Sequence, residues 1–281
     1  FEDVHDITGR FTDAEGNPYQ YDGHWSWTYF DNNECYDENG VNAWQWLSNQ
    51  TNAELVYASG TQKAYVIGDD WGPAVSKTVI ELDKTINSDS VNKDSFTVEE
   101  SKEVYDWSDP RAGNTYVCDP VARTVLDAYT SDANGNQVST DSNYVTIEMY
   151  VSPNEGSPFI YNLVTGFNTW CTPYNLYVSL NDGAVLMSGN ETINALNVTA
   201  GDGKICPQGE VFNMKSYTTS DGTNYTYAEF IPAEDDKKNA LVIWLHGAGE
   251  GGKDPYIDIL GNEVTALAGE QFQGLFEGAY I

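Results

Sequence analysis

The sequence predicts a mostly β protein: a β-sandwich of immunoglobulin type followed by the opening of an α/β sheet. Three observations carry that expectation. Apolar and polar residues alternate in "KTVIEL" (77–82), "RTVLDAYT" (123–130) and "YVTIEMYV" (144–151), the period of half-buried strands. Clusters of Gly, Asn, Asp and Ser such as "SDANGNQVSTDSN" (131–143) punctuate them, as hairpin turns require. From about residue 207 the rhythm changes, and a hairpin, a continuous apolar run, a glycine loop and a helical stripe succeed one another.

Composition sets the outer bounds. With 281 residues, one large domain or two ordinary ones is expected, and 40% hydrophobic and 13% aromatic residues suffice for real cores. No apolar run is long enough to span a bilayer. Phe1 opens in polar, turn-rich sequence with no signal peptide, as expected of a chain whose numbering starts after processing or trimming. Thirteen Lys and Arg face 43 Asp and Glu, a net charge of −30. A field of that sign repels phosphate backbones, so nucleic acid is excluded as a partner. It suits a secreted, extracellular protein. The four cysteines (Cys35, Cys118, Cys171 and Cys206) form no CxxC pair, which argues against a zinc site and leaves any disulfide pairing open. Asn-x-Thr triplets begin at Asn49, Asn190, Asn197 and Asn224 and matter only in a eukaryotic source.

Along the chain, residues 1–60 form an aromatic-rich N-terminal region. Trp25 and Trp27, and again Trp44 and Trp46, are spaced two apart, which on a strand sets each pair on one face. Exposed, such pairs make a stacking platform for sugar rings; buried, they pack against the neighbouring sheet, the more frequent outcome. Residues 61–185 fit one sandwich, which takes about 100 residues in the immunoglobulin type, although no Cys–Trp–Cys core pins it. Residues 186–281 then provide a linker and the start of a second sheet. "EVFNMKSYTTSDGTNYTYAEFIPAE" (210–234) reads as a hairpin around Ser220-Asp221-Gly222-Thr223, and "NALVIWLH" (239–246) as a strand covered on both faces. "NEVTALAGEQFQGLF" (262–276) places Val264, Leu267, Ala268, Phe272, Leu275 and Phe276 on one helical stripe, and "GAYI" begins another strand.

Other chemistry is thinly supported. Asp132, Asn134 and Asn136, and again "DAEGN" (13–17), have the first spacings of a calcium loop without its later ligands, so they read as turns. Carboxylates are so abundant that no pair of them points to glycosidase chemistry.

The stretch "LVIWLHGAGEGG", with its preceding hairpin and following helix, resembles the third strand and oxyanion loop of α/β-hydrolase esterases. "YVIGDDWGPAVSKTVIELDKTINSDSVNKDSFTV" (65–98), above all Asp70-Trp71-Gly72-Pro73-Ala74, resembles the immunoglobulin-like N-terminal domain carried by secreted bacterial carboxylesterases and prolyl-oligopeptidase-like hydrolases. The resemblance covers residues 61–281. It implies an immunoglobulin-like β-sandwich followed by the incomplete start of an α/β-hydrolase sheet, with no cofactor or metal. It also implies an oxyanion-stabilising amide at or beside Ala248, Gly247 and Gly249 shaping the turn, and a His246 that organises the loop without acting as base. The chemistry accounts for the glycines: an acyl-transfer oxyanion needs fixed N–H donors, and glycine lets the backbone turn sharply with its amides free. The competing readings are a plain strand-to-helix turn or a phosphate loop. Phosphate is disfavoured by Glu250 and by the absence of Lys-Ser/Thr after the glycines.

A hydrolase of this class further needs Gly-x-Ser-x-Gly, an acid and a histidine after the loop. No Gly-x-Ser-x-Gly occurs, and the three histidines are His5, His24 and His246. The chain is therefore expected to be the front portion of a longer hydrolase, inactive by itself. Its hydrolase sheet would be completed by a second polypeptide or an oligomer mate, and its substrate would be an ester or glycan-linked acyl group. The alternative function is a non-catalytic extracellular carbohydrate-binding or adhesion module built on the tryptophan pairs.

Overall fold

A computed structural model describes residues 4–5, 12–18, 20–21, 40–49 and 54–281. The chain divides into two compact units, Phe1–Glu54 and Leu55–Ile281.

In the first unit, β1 (Val4–His5) pairs antiparallel with β2 (Gln20–Tyr21), and α1 spans Ala43–Asn49. Asp13 accepts hydrogen bonds from the amides of Glu15 and Asn17 at 3.0 and 2.8 Å, so "DAEGN" is a carboxylate-capped turn. The helix corrects the strand expected for Trp44 and Trp46. Asn42 Oδ1 accepts from the Gln45 amide at 2.8 Å, and Gln45 Oε1 accepts from the Asn42 amide at 3.3 Å. This reciprocal cap satisfies two amides that a helix start leaves open, and it outweighs the strand preference of the tryptophans.

The second unit opens with β3 (Tyr57–Asp69) and β4 (Gly72–Ile86), a long antiparallel hairpin closed at Asp69 opposite Gly72. β5 (Phe96–Tyr105), β6 (Thr115–Val117), β7 (Val121–Arg123), β8 (Val125–Ser131) and β9 (Ser142–Met149) follow. Next come a small hairpin of β10 (Phe159–Asn162) and β11 (Phe167–Trp170), then β12 (Tyr174–Leu180) and a second small hairpin of β13 (Leu186–Ser188) and β14 (Glu191–Ile193). β15 (Ala195–Ile205) runs parallel to β3 and forms the edge of a five-stranded sheet in the order β15-β3-β4-β9-β8, so this sheet reaches past residue 185. The facing sheet has the order β12-β5-β6, with β7 also paired to β5. Inward residues of both sheets, among them Val75, Ile80, Val145 and Ile147 from one and Val98 and Val178 from the other, meet in one buried cluster. The period-two pattern of the sequence thus delivers a sandwich with one shared core.

An ionic cluster, with no disulfide among the described residues, joins the two sheets. Arg123 and Glu100 are 5% and 3% exposed, and Arg123 Nη1 donates to Glu100 Oε2 at 2.9 Å. Its Nη2 crosses to the other sheet, donating to the carbonyls of Val75 and Tyr150, each at 2.9 Å. Lys102 Nζ lies 2.6 Å from Glu100 Oε1 and donates to the Ser157 carbonyl, and the Tyr174 hydroxyl bonds Glu100 Oε2. Burial, reinforced by Glu100, pushes the Tyr174 phenol far above its ordinary range, so it stays a donor. Cys118, Cys171 and Cys206 are free thiols, and Cys35 lies outside the described residues. The Asp132 carboxylate accepts from the amides of Asn134 and Asn136 at 2.8 and 2.9 Å, an ordinary turn.

After the sandwich, α2 (Pro207–Glu210) leads to β16 (Asn213–Thr218) and β17 (Asn224–Glu229), the expected hairpin, with Gly222 at φ 87° in its turn. The apolar run departs from expectation. Only Ala240–Leu241 is strand (β18), and Leu241, Ile243 and Leu245 are 68%, 72% and 83% exposed. α3 (Pro255–Leu260) follows the glycine loop. The expected single helix is two pieces, a 3-10 turn at Val264–Ala268 and α4 (Glu270–Phe276), parted at Gly269, whose ψ of 156° is extended. Val264 is buried, but Leu275 is 78% exposed, so the stripe faces the core only in its first half. β19 (Ala279–Tyr280) pairs parallel with β18, the parallel crossover of an α/β sheet.

Removing the guanidinium takes away the buried partner that ties Glu100 to the opposite sheet and leaves the carboxylate with Lys102 and Tyr174 alone. Arg123→Ala is predicted to lower unfolding free energy by about 3–5 kcal/mol in urea titration; a loss under about 1 kcal/mol would show that the cluster does not join the sheets.

Candidate functional site

The glycine loop runs from the end of β18 to the start of α3. Its centre is a 3-10 turn, Ala248–Glu250, entered through an extended Gly247 at φ −76° and ψ 174°. The turn closes on itself through the Glu250 amide to the Gly247 carbonyl and the Gly251 amide to the Ala248 carbonyl, both 3.3 Å. Among the described residues, no hydrogen bond engages the amides of Ala248 and Gly249. Gly247 and Ala248 are exposed, Gly249 partly so. The first amides of any helical turn lack partners within it, and these two, at adjacent positions with no side-chain cap, are free to receive a negative oxygen from a ligand.

Close packing sets the loop's shape. His246 Nδ1 lies 2.6 Å from the Gly247 carbonyl, and as the protonated ring nitrogen it donates there, pinning the entry peptide. The Glu250 side chain folds back beneath the turn. A Cβ added at Gly247 would meet its Oε2 at 2.9 Å, and one at Gly261, after α3, would meet its Cγ at 2.8 Å. At Gly251 a Cβ would sit 2.8 Å from the Phe167 ring, and Gly252 holds φ 147°, a region L side chains rarely adopt. Both glycines are required, one by a neighbour and one by its backbone.

Residues from the sandwich reach the loop. Asn168 Nδ2 donates to Glu250 Oε1 at 3.3 Å. Trp170 Nε1 donates to Asp254 Oδ2 at 2.8 Å, while Asp254 Oδ1 caps α3 by accepting from the Tyr256 amide at 3.0 Å. On the other side, a cavity of about 690 Å³ lies along the bare apolar run, between Tyr225 and Tyr227 of β17 and Ile259 of α3, with His246 and Asp258 in its wall. Burial pushes the Asp258 carboxyl up to about 6, opposed by His246 and aided by Glu250 and Asp254.

His246, Gly247, Ala248 and Gly249 therefore share one loop, as contiguity requires. The residues sequence reading missed are Glu250 as a strut, Asn168 and Trp170 as contacts from the sandwich, and Asp258 beside the histidine. Of the two tryptophan pairs, the structure describes the second. Trp25 and Trp27 lie outside the described residues, and Trp44 and Trp46, 50% and 56% exposed, sit on α1. Residues two apart on a helix are about 200° apart around its axis and do not share a face. Among the described residues no group of His, Cys, Asp or Glu could hold a metal ion, and no helix is long and apolar enough to cross a membrane.

A sandwich of this topology, leading through a hairpin into a strand, glycine loop and helix, defines the class: an immunoglobulin-like domain that precedes an α/β unit. Comparison with known proteins agrees. The family model described as the esterase Ig-like N-terminal domain matches residues 64–225, more than half of the chain, and the chain belongs to that family. Among solved structures it is similar to one titled "Crystal Structure of a Thermostable Esterase", with a TM-score of 0.60 and 19% identity, a likeness of fold. The match covers 78% of this chain and 56% of that one, so the chain spans little more than half the esterase's length. No curated protein sequence matches.

The Asp258 shift predicts a pH signature. Its folded pKa, about 6, lies above the ordinary 3.8, so the folded state binds this proton more tightly than the unfolded chain. The stability this contributes is complete below about pH 3.8 and is lost as pH rises through 6. Asp258→Asn is predicted to melt higher than the parent protein above pH 6 and level with it near pH 4 in thermal scans; a constant offset across that range would contradict the assignment.

Proposed function

We propose that this chain is the N-terminal portion of a secreted serine carboxylesterase acting on acyl esters, and that the loop from His246 to Gly249 supplies its oxyanion hole. The observation that carries the reading is the pair of open amides, at the exposed Ala248 and the partly exposed Gly249, on a glycine turn between a strand and a helix. Membership of the esterase Ig-like family supports the activity class, and the acidic net charge suits an extracellular setting. In acyl transfer the attacked carbonyl oxygen gains charge as the tetrahedral intermediate forms. The Ala248 amide, with that of Gly249 beside it, would donate to that oxygen. The His246 bond to Gly247 holds the entry peptide, leaving the histidine a structural part.

The nucleophile, its acid and its base come from elsewhere in this reading, because the sequence holds no Gly-x-Ser-x-Gly and no spare histidine after the loop. A second polypeptide segment bearing them would pair with the exposed run and bury Leu241, Ile243 and Leu245, which water now covers. Exposed apolar side chains flanking a two-residue strand are the structural counterpart of that missing neighbour.

Two outcomes test the reading. The chain alone is predicted to hydrolyse p-nitrophenyl acetate no faster than buffer; turnover would place a nucleophile in it. In the completed esterase, Ala248→Pro deletes one N–H where proline fits: Gly247 is already extended and Ala248 is the first residue of a helical turn. It is predicted to lower kcat roughly 10²–10³-fold without changing the melting temperature; an unchanged kcat rejects the oxyanion role.

A further inference from the structure

The small β10–β11 hairpin is the place where the sandwich touches the glycine loop, and its contacts are at the loop's exit and underside. Asn168 donates to Glu250, the strut on which the turn rests. Two residues on, along the same strand, Trp170 donates to Asp254, the residue that caps α3. Alternate positions on a strand project to one face, so a single face of β11 reaches both. Phe167 fills the space that a side chain at Gly251 would need, and Asn168 Nδ2 lies 3.2 Å from where a Cβ at Gly249 would be. The Trp170 ring is itself held: Phe159 packs edge-on at 4.7 Å between centroids, and Lys204 Nζ from β15 lies over the ring at 4.6 Å. The base of the hairpin is tied to β5. Lys102 donates to the Ser157 carbonyl at 2.8 Å, and the Thr172 amide donates to Glu103 Oε2 at 2.9 Å.

We infer that the β10–β11 hairpin is a positioning element for the glycine loop, with Asn168 and Trp170 as its two grips. They fix Glu250 and Asp254, and through them the direction in which the Ala248 and Gly249 amides point. The immunoglobulin-like domain then serves as the loop's backstop. The clamp is a statement about the loop's conformation; its consequence for catalysis rests on the oxyanion reading above.

Hydrogen exchange on the full chain reads the clamp without any catalysis. Trp170→Phe keeps the ring packing and loses the indole N–H. Asn168→Asp sets a second carboxylate against Glu250, and adding Glu250→Gln removes the repulsion. Exchange of the hydrogen-bonded amides of Glu250, Gly251 and Tyr256 is expected to rise about tenfold in Trp170→Phe and in Asn168→Asp, the factor that goes with losing one charge-assisted hydrogen bond. Peptides from β3 and β4 should exchange as in the parent chain, and the double variant Asn168→Asp with Glu250→Gln should return the loop towards parental rates. Unchanged loop exchange, an equal rise throughout the sandwich, or no rescue by Glu250→Gln would each overturn the clamp. In the completed esterase the same two single variants are expected to lower kcat with KM little altered. A loosened loop with unaltered kcat would leave the clamp standing and remove the oxyanion reading, whereas a rigid loop with an inactive Ala248→Pro variant would do the reverse.

Discussion

The buried contact between Arg123 and Glu100 is the point from which the order of this unit extends. A guanidinium and a carboxylate withdrawn from water demand partners, and those here lie on both sheets; Arg123 Nε alone makes no hydrogen bond and has only the Glu155 carboxylate at 3.5 Å. Val75 belongs to β4, Glu100 to β5 and Tyr174 to β12, so the cluster sets how the two layers sit on one another. Lys102 carries the arrangement outward to Ser157, at the foot of β10, and Glu103 does the same at Thr172. The hairpin between those feet is thereby tethered to β5 at both ends. What it presses against is the glycine loop.

A loop that exposes unpaired amides needs such support. Open N–H groups do not hold a turn in place, and water would accept any orientation of them. Here the turn's own two hydrogen bonds are long, at 3.3 Å, while the contacts around it are specific: an indole N–H, an amide side chain, a histidine ring and a folded-back glutamate. On the proposed reading, side chains outside the turn hold it and the donors stay available, a division of labour that electrostatic preorganisation requires.

Much of this was legible in the chain, and the boundary between what was and was not has a physical form. The strands within 77–82, 123–130 and 144–151 announce themselves by alternating residue types, although Thr78–Ile80 and Val145–Ile147 are buried on both faces, and the 213–229 hairpin because Asp221-Gly222 suits its turn. The glycine loop was visible through its own residues. α1 was misread because tryptophans two apart suggest a strand, while the deciding signal was polar and quiet: Asn42 and Gln45 capping one another. The run 239–246 was read as a strand covered on both faces, since eight residues so apolar ordinarily find cover; in this unit Leu245 stands 83% exposed. The contacts that hold the loop were invisible, because Asn168 and Trp170 precede their partners by more than eighty residues and meet them only through the packing of the hairpin on the loop.

The central claim is that the amides of Ala248 and Gly249 are shaped to receive a charged oxygen. The most direct measurement is a crystal structure of the completed esterase inhibited by a phosphonate, whose tetrahedral oxygen stands in for the oxyanion. The account predicts that oxygen at about 2.7–3.1 Å from the Ala248 nitrogen, with Gly249 in range of it. A phosphonate oxygen held by other donors, with both amides still turned to water, would contradict it.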